Sequence, residues 1–317
     1  MRNMLIHNQE IRPGEQEVIR LNVARLPSGT LIYIPIHVFR SKQPGPTALV
    51  MGGVHGDEIN GVEIVRRTLD EGLFARLEKG SVIAIPLLNI YGFINFSRDA
   101  SEGKDVNRSF PGSMKGSLAS RVAANVSKFI LPHIDFGVDF HTGGGSRYNY
   151  PQIRISTGDV KAEELARQFA APYSIRKSSI PKTLRKMAQG MGKPMLVYEG
   201  GEALRYDGFS IEKGLAGLKR LLHAQGMLSA APPAMVRQRW FNKTSWVRAA
   251  QSGMFIWKQE SGAKVSTGEL LGVINDPYGH DEIAVRANRD GYIIGHNNAP
   301  VVNAGDALFH IAYEQSE

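Results

Sequence analysis

The chain has no cysteine among its 317 residues. That single absence removes disulfides, thiolate metal ligands and thiol nucleophiles, so any metal chemistry falls to histidine and carboxylate. No G-x-S-x-G elbow is present either, which leaves activated water as the natural nucleophile. Long hydrophobic runs are missing: no window reaches the roughly 18 apolar residues of a membrane helix. The opening Met1-Arg2-Asn3-Met4-Leu5-Ile6-His7-Asn8-Gln9-Glu10 is mixed and polar, without the apolar stretch of a signal peptide. The chain therefore reads as cytoplasmic, with no membrane partner. Its net charge of +8 is scattered singly or in pairs such as Arg66-Arg67 and Lys219-Arg220. With no basic block or aromatic-basic stripe, the positive field suits a small anionic substrate better than a nucleic acid.

What is present begins with an apolar content of 42%, enough to fill a sizeable core. Strand-like runs at 17–23, 31–39 and 47–54 are separated by the turn formers Pro27-Ser28-Gly29 and Pro44-Gly45-Pro46. Apolar residues at helical spacing follow (Ile59, Val62, Ile64, Val65, Leu69), and then a buried strand at 82–88. Further along, 118–130 and 160–170 read as helices, 136–141 and 194–198 as strands, and 211–225 as a long amphipathic helix. This alternation predicts an α/β fold whose mixed, mostly parallel sheet is sandwiched by helices.

The stretch Leu228-Ser229-Ala230-Ala231-Pro232-Pro233-Ala234 cannot continue that helix and reads as a linker between a domain at 1–228 and another at 240–317. The second part changes texture to short strands punctuated by glycine, the pattern of a small all-β, barrel-like domain. It resembles the biotinyl and lipoyl carrier barrels, whose two halves each carry a V-x-x-G-[DE]-x-L turn. Here the copies fall at 265–270 and 302–308, the second one residue longer. No lysine follows Lys264, so a carrier-like shape without an attached cofactor is expected.

The chemistry-bearing residues sit at strand ends. Gly52-Gly53-Val54-His55-Gly56-Asp57-Glu58 follows the apolar run Thr47-Ala48-Leu49-Val50-Met51 and places a histidine and a carboxylate three residues apart. His141, in Val138-Asp139-Phe140-His141-Thr142-Gly143-Gly144, also ends an apolar run. Strand ends converge at one edge of a parallel sheet. Two imidazoles and a carboxylate with an open fourth position are what hydrolytic zinc requires, one ion per chain. Asp57 is the alternative oxygen ligand. Glycines 143–145 lack the Lys-Ser/Thr and helix start of a phosphate loop and read as close backbone packing beside His141.

Four motifs in order resemble the succinylglutamate desuccinylase/aspartoacylase family of zinc deacylases, related in fold to the zinc carboxypeptidases. They are Gly52 to Glu58; Arg98 followed by Asp105-Val106-Asn107-Arg108-Ser109-Phe110-Pro111-Gly112; Asp139-Phe140-His141; and Tyr198-Glu199. The resemblance implies that His55, Glu58 and His141 bind zinc and that Glu199 is the general base. It also implies that Arg98 stabilises the oxyanion, and that Asn107 and Arg108 hold a substrate carboxylate. A bidentate guanidinium suits that last task. The activity implied is cleavage of the amide of an N-acyl amino acid or similar small amide. A zinc carboxypeptidase acting on peptides or peptidoglycan stems, and a zinc-binding protein without turnover, are the alternatives. The partner expected is a small, carboxylate-bearing molecule, with homo-oligomerisation left open. Tyr148, Asn149, Tyr150 and Arg154 are expected to be loop residues that select the acyl group, and the β-rich tail to narrow the mouth of the site.

Overall fold

A computed structural model describes residues 3–25 and 28–316. A short hairpin, β1 (Met4–Ile6) and β2 (Gln9–Ile11), precedes two long antiparallel strands, β3 (Gln16–Arg25) and β4 (Leu31–Arg40). Then come β5 (Thr47–Gly52), α1 (Ile59–Asp70) and β6 (Ser81–Ile85). Every residue of β5 and β6 is buried, as expected of a parallel pair covered on both faces. α2 (Ile90–Ile94) and α3 (Leu118–Phe129) lead to β7 (Phe136–Gly143), β8 (Arg147–Ile155), α4 (Val160–Phe169) and β9 (Tyr173–Arg176). α5 (Leu184–Gly190), β10 (Met195–Glu202) and α6 (Gly208–Ala224) complete the α/β part. The remaining strands are β11 (Arg239–Arg248), β12 (Gly253–Trp257), β13 (Lys264–Val265), β14 (Leu270–Asn275), β15 (Glu282–Arg286), β16 (Gly291–Asn297), β17 (Val301–Val302) and β18 (Ala307–Ser316).

The main sheet runs β13-β16-β18-β11-β9-β8-β10-β7-β5-β6-β4-β3. Its centre, β6-β5-β7-β10, is parallel, but the sheet as a whole is mixed rather than mostly parallel. The reason lies in the links. A parallel neighbour needs a long crossover, whereas the chain leaves β7 through residues 144–146 alone and returns as β8, antiparallel to β10.

Strand alternation divides the core between the faces. Leu49, Met51, Ile83 and Ile85 pack with Val122 and Val126 of α3. Ala48, Val50, Val138, Phe140 and Tyr198 point the other way, toward Ile64 of α1, Phe169 of α4 and Leu218 of α6. β16 pairs with β8 as well as with β18, so β8, β9, β11, β18 and β16 close into a five-stranded barrel. Two of those strands come from before residue 228 and three from after residue 238. A separate sheet, β15-β14-β12-β17, stands beside the barrel. Among the described residues, no helix is long and apolar enough to cross a membrane.

Candidate metal centre and its pocket

The carboxyl ends of β5, β7 and β10 meet at one edge of the sheet, and the sequence motifs meet there with them. His55 lies in the turn after β5, and Glu58 is the residue that caps the start of α1. Gly56 must be glycine, since a Cβ there would fall 2.0 Å from the backbone of Gly92 in α2. Asp139 and His141 are two apart on β7, hence on one face. In the parallel register Glu199 of β10 stands beside His141, and Val197 beside Asp139. At the far side of His141, a Cβ on Gly143 would collide at 1.9 Å with the Arg147 carbonyl, so this glycine does serve close backbone packing.

Three side chains converge. His55 Nδ1 lies 2.8 Å from Glu58 Oε1, and His141 Nδ1 lies 2.8 Å from Glu58 Oε2. The two Nδ1 atoms are 3.2 Å apart. The other nitrogen of each ring turns to a carboxylate: His141 Nε2 to Asp139 Oδ2 at 2.8 Å, and His55 Nε2 to Asp105 Oδ1 at 3.3 Å. This is the arrangement of metal-binding imidazoles, in which an outer carboxylate takes the N–H and leaves the inner lone pair free. Zinc ligands at about 2.0–2.1 Å and tetrahedral angles stand roughly 3.3 Å apart, close to the spacing seen here. The residues therefore fit a metal ion, with His55, Glu58 and His141 as the set whose ligand atoms lie within 4.8 Å of one another. Asp57 stands outside that set, its Oδ1 buried without a hydrogen-bond partner.

The electrostatics are tightly coupled. Burial alone would raise the Glu58 pKa, but His55 and His141 outweigh it and hold the carboxyl well below its usual range. Burial likewise opposes protonation of His141, yet Asp139 and Glu58 raise its pKa well above that of a free imidazole. Arg98 spans this group, with Nη1 3.1 Å from Glu58 Oε1 and Nη2 3.0 Å from Asp105 Oδ2.

Glu199 is held from β8. Asn149 Nδ2 donates to its Oε2 at 2.8 Å, and Arg154 Nη1 sits 2.9 Å from its Oε1. The region expected as a specificity loop is thus a strand, and its local pattern was obscured by Pro151. Proline is tolerated here because the β8–β10 register shifts between Glu199 and Gly201, a bulge where no ladder donor is needed.

Asn107 and Arg108 occupy a short 3-10 turn on the opposite wall. Asn107 Oδ1 accepts from the backbone N–H of Leu184 at 2.9 Å, and both Asn107 and Arg108 line the cavity. Arg108 donates to the Asn107 carbonyl at 2.7 Å and lies 4.0 Å from Asp105.

The cavity these walls enclose measures about 680 Å³, within the usual range for small-molecule sites. Its lining includes three residues with no signal in the linear sequence: Thr183 and Arg185 at the start of α5, and Trp246 of β11. Arg185 Nη1 is buried with no hydrogen-bond partner. Burial and the adjacent Arg154 pull its pKa down to about 10, so the side chain remains cationic near neutrality. No motif surrounds it; only the folded chain shows that α5 delivers it to the pocket.

Fold and site together define a mixed α/β protein with a His-Glu-His centre at the ends of its parallel strands. A family model, the succinylglutamate desuccinylase/aspartoacylase catalytic domain, matches residues 44–225. The chain belongs to that family, as its four motifs predicted. An N-alpha-acetyl-L-2,4-diaminobutyric acid deacetylase of Halomonas elongata is 27% identical over 297 residues, spanning 89% of this chain and 86% of the relative. The crystal structure of a succinylglutamate desuccinylase/aspartoacylase from Rhodobacter sphaeroides superposes with a TM-score of 0.85 at 26% identity, covering 96% of this chain and 97% of that one. The product-bound structure of the ectoine utilization protein EutE (DoeB) from Ruegeria pomeroyi shares the fold at a TM-score of 0.84 and 24% identity, covering 96% of each chain.

Proposed function

We propose that this protein is a zinc-dependent hydrolase that cleaves the amide bond of an N-acyl amino acid. The observation that carries the reading is the pair of imidazoles, each with Nδ1 turned inward and Nε2 on a carboxylate, beside a glutamate fixed by an arginine and an asparagine. His55, Glu58 and His141 would hold the ion, which when bound polarises a carbonyl and lowers the pKa of water.

The chain's own groups supply the rest. Glu199, its two oxygens anchored by Arg154 and Asn149, takes a proton from the attacking water and returns it to the nitrogen of the leaving amine. Arg98 offers a guanidinium to the negative charge that develops on the amide oxygen. Arg108, with the Nδ2 of Asn107, binds the substrate carboxylate. Arg185, whose buried Nη1 has no hydrogen-bond partner, is a second place where an anionic group gains a charge-assisted hydrogen bond. The family membership and the deacetylase relative support the amide of a small acylated amino acid as substrate.

The test is a panel of N-acyl amino acids, including N-alpha-acetyl-L-2,4-diaminobutyrate, set against peptides with free carboxyl ends, using zinc-loaded protein and a Glu199→Gln control. Acyl amino acids should be hydrolysed, and the control should lose about 100-fold or more in kcat while retaining its zinc. Cleavage of peptides alone, or full activity in the control, would overturn the reading.

A further inference from the structure

The pocket is charged or polar around most of its wall, and its apolar side chains are Ile180, Val197 and Trp246. Ile180 is 49% exposed and stands at the rim. Val197 lies two residues before Glu199, on the same face of β10, and opposite Arg154 of β8. Trp246 comes from β11, outside the residues 44–225 matched by the family model.

The indole is rigidly backed. Trp246 is the cross-strand partner of His310 on β18, and the two rings stack with centroids 4.0 Å apart and planes 8° from parallel. His310 is 4% exposed, and neither of its ring nitrogens has a hydrogen-bond partner. Burial, then Arg154 and Lys177, keep this imidazole neutral. It thus stacks as a flat, uncharged ring against the indole, whose residue lines the cavity. Apart from its single N–H, an indole set among arginines and carboxylates offers a polar ligand group only weak contacts, and the neighbouring arginines disfavour a second cation over its face. What the ring's broad face gains from most is hydrocarbon, whose apolar surface it takes out of water.

We propose that Trp246 is a specificity-determining residue: its indole, with Val197 beside Glu199, meets the uncharged hydrocarbon part of the substrate and stops that part at a fixed length. The proposal rests on the reading of the site as an N-acyl amino acid hydrolase. A wall backed by a stacked ring cannot swing aside, so a longer substrate clashes rather than adapts. A pocket of this kind separates neighbours differing by one methylene about 10- to 200-fold.

Two series of substrates test this: one amino acid bearing acetyl, butanoyl and hexanoyl groups, and N-acetyl amino acids of increasing aliphatic side chain. Each is assayed with wild type, Trp246→Ala and Trp246→Phe, all loaded with zinc and checked by thermal melting. In one of the series Trp246→Ala should raise the long-to-short ratio of kcat/KM by about tenfold or more, and Trp246→Phe should shift it less. The series that responds identifies which side of the amide faces the indole. An unchanged profile in both variants and both series, with wild type active, would overturn the inference alone. Failure of wild type on every compound would overturn the functional reading and this inference with it.

Discussion

The centre depends on residues that touch no ligand as much as on those that would. Asp139 is one: its Oδ2 accepts a hydrogen bond from His141 Nε2–H at 2.8 Å and so fixes which nitrogen faces inward. Asp139→Asn keeps the shape but can present an N–H to that nitrogen, and should weaken zinc binding about 10- to 100-fold. Competition with a chelator measures this, and unchanged affinity would refute the assigned role. Arg185 makes the opposite case, a side chain whose burial opposes stability. Its Nη1 is buried without a partner and next to Arg154. Arg185→Met should therefore raise stability by about 1 kcal/mol while raising KM for an anionic substrate, the usual exchange of stability for function. A variant with unaltered KM would show that Arg185 does not meet the substrate. At this scale the sequence made part of the site legible. His55 and Glu58 are close in the chain and follow an apolar strand, and Asp139 and His141 are two apart at the end of another, so period and spacing expose them. Thr183, Arg185 and Trp246 reach the pocket through tertiary placement, and no local pattern marks them.

At the scale of elements, β8 joins the two halves of the fold. It carries Asn149 and Arg154 to Glu199, pairs with β10 on one side, and pairs with β9 and β16 on the other. The central strands and the longer helices were readable because their periodicity is local. The barrel was not, because the pairing of Tyr148 with His296 spans nearly half the chain, and glycine-punctuated strands look self-contained when read in order. One consequence concerns truncation. Removing residues 239–317 would strip β11 from β9 and β16 from β8. It would also expose Tyr173 and Ile175, which pack against Phe241, Ile294 and Ala312. Open strand edges with apolar neighbours aggregate, so the shortened chain should be recovered as aggregate rather than as a folded α/β core. A soluble, monomeric product with a cooperative melt would count against this.

For the whole molecule, acid should be the destabilising direction, and a histidine outside the metal centre offers a clean measure of it. His296 of β16 is 6% exposed, lies 2.7 Å from Ser261 Oγ and 3.1 Å from Asn298 Oδ1, and so ties the barrel to a loop. Asn298 in turn donates to Glu202 at 2.6 Å, at the end of the strand that bears Glu199. Burial lowers the His296 pKa to about 4, against a partial rise from Asn298, whereas in the unfolded chain it returns to about 6.5. Between those values the unfolded state binds a proton that the folded state refuses. Stability from this group is thus fully present above pH of about 6.5 and is lost as the pH falls toward about 4. One proton corresponds to a slope of at most about 1.4 kcal/mol per pH unit. His296→Gln keeps a donor and an acceptor in place but cannot titrate. Urea midpoints followed across this pH range, with zinc present for both proteins, should show a shallower acid limb in the variant. The protein's net charge of +8 also grows as acid protonates its carboxylates, and the resulting self-repulsion steepens both curves alike. The difference between the two curves isolates His296, and superimposable acid limbs would show that the buried ring gains its proton without unfolding the barrel.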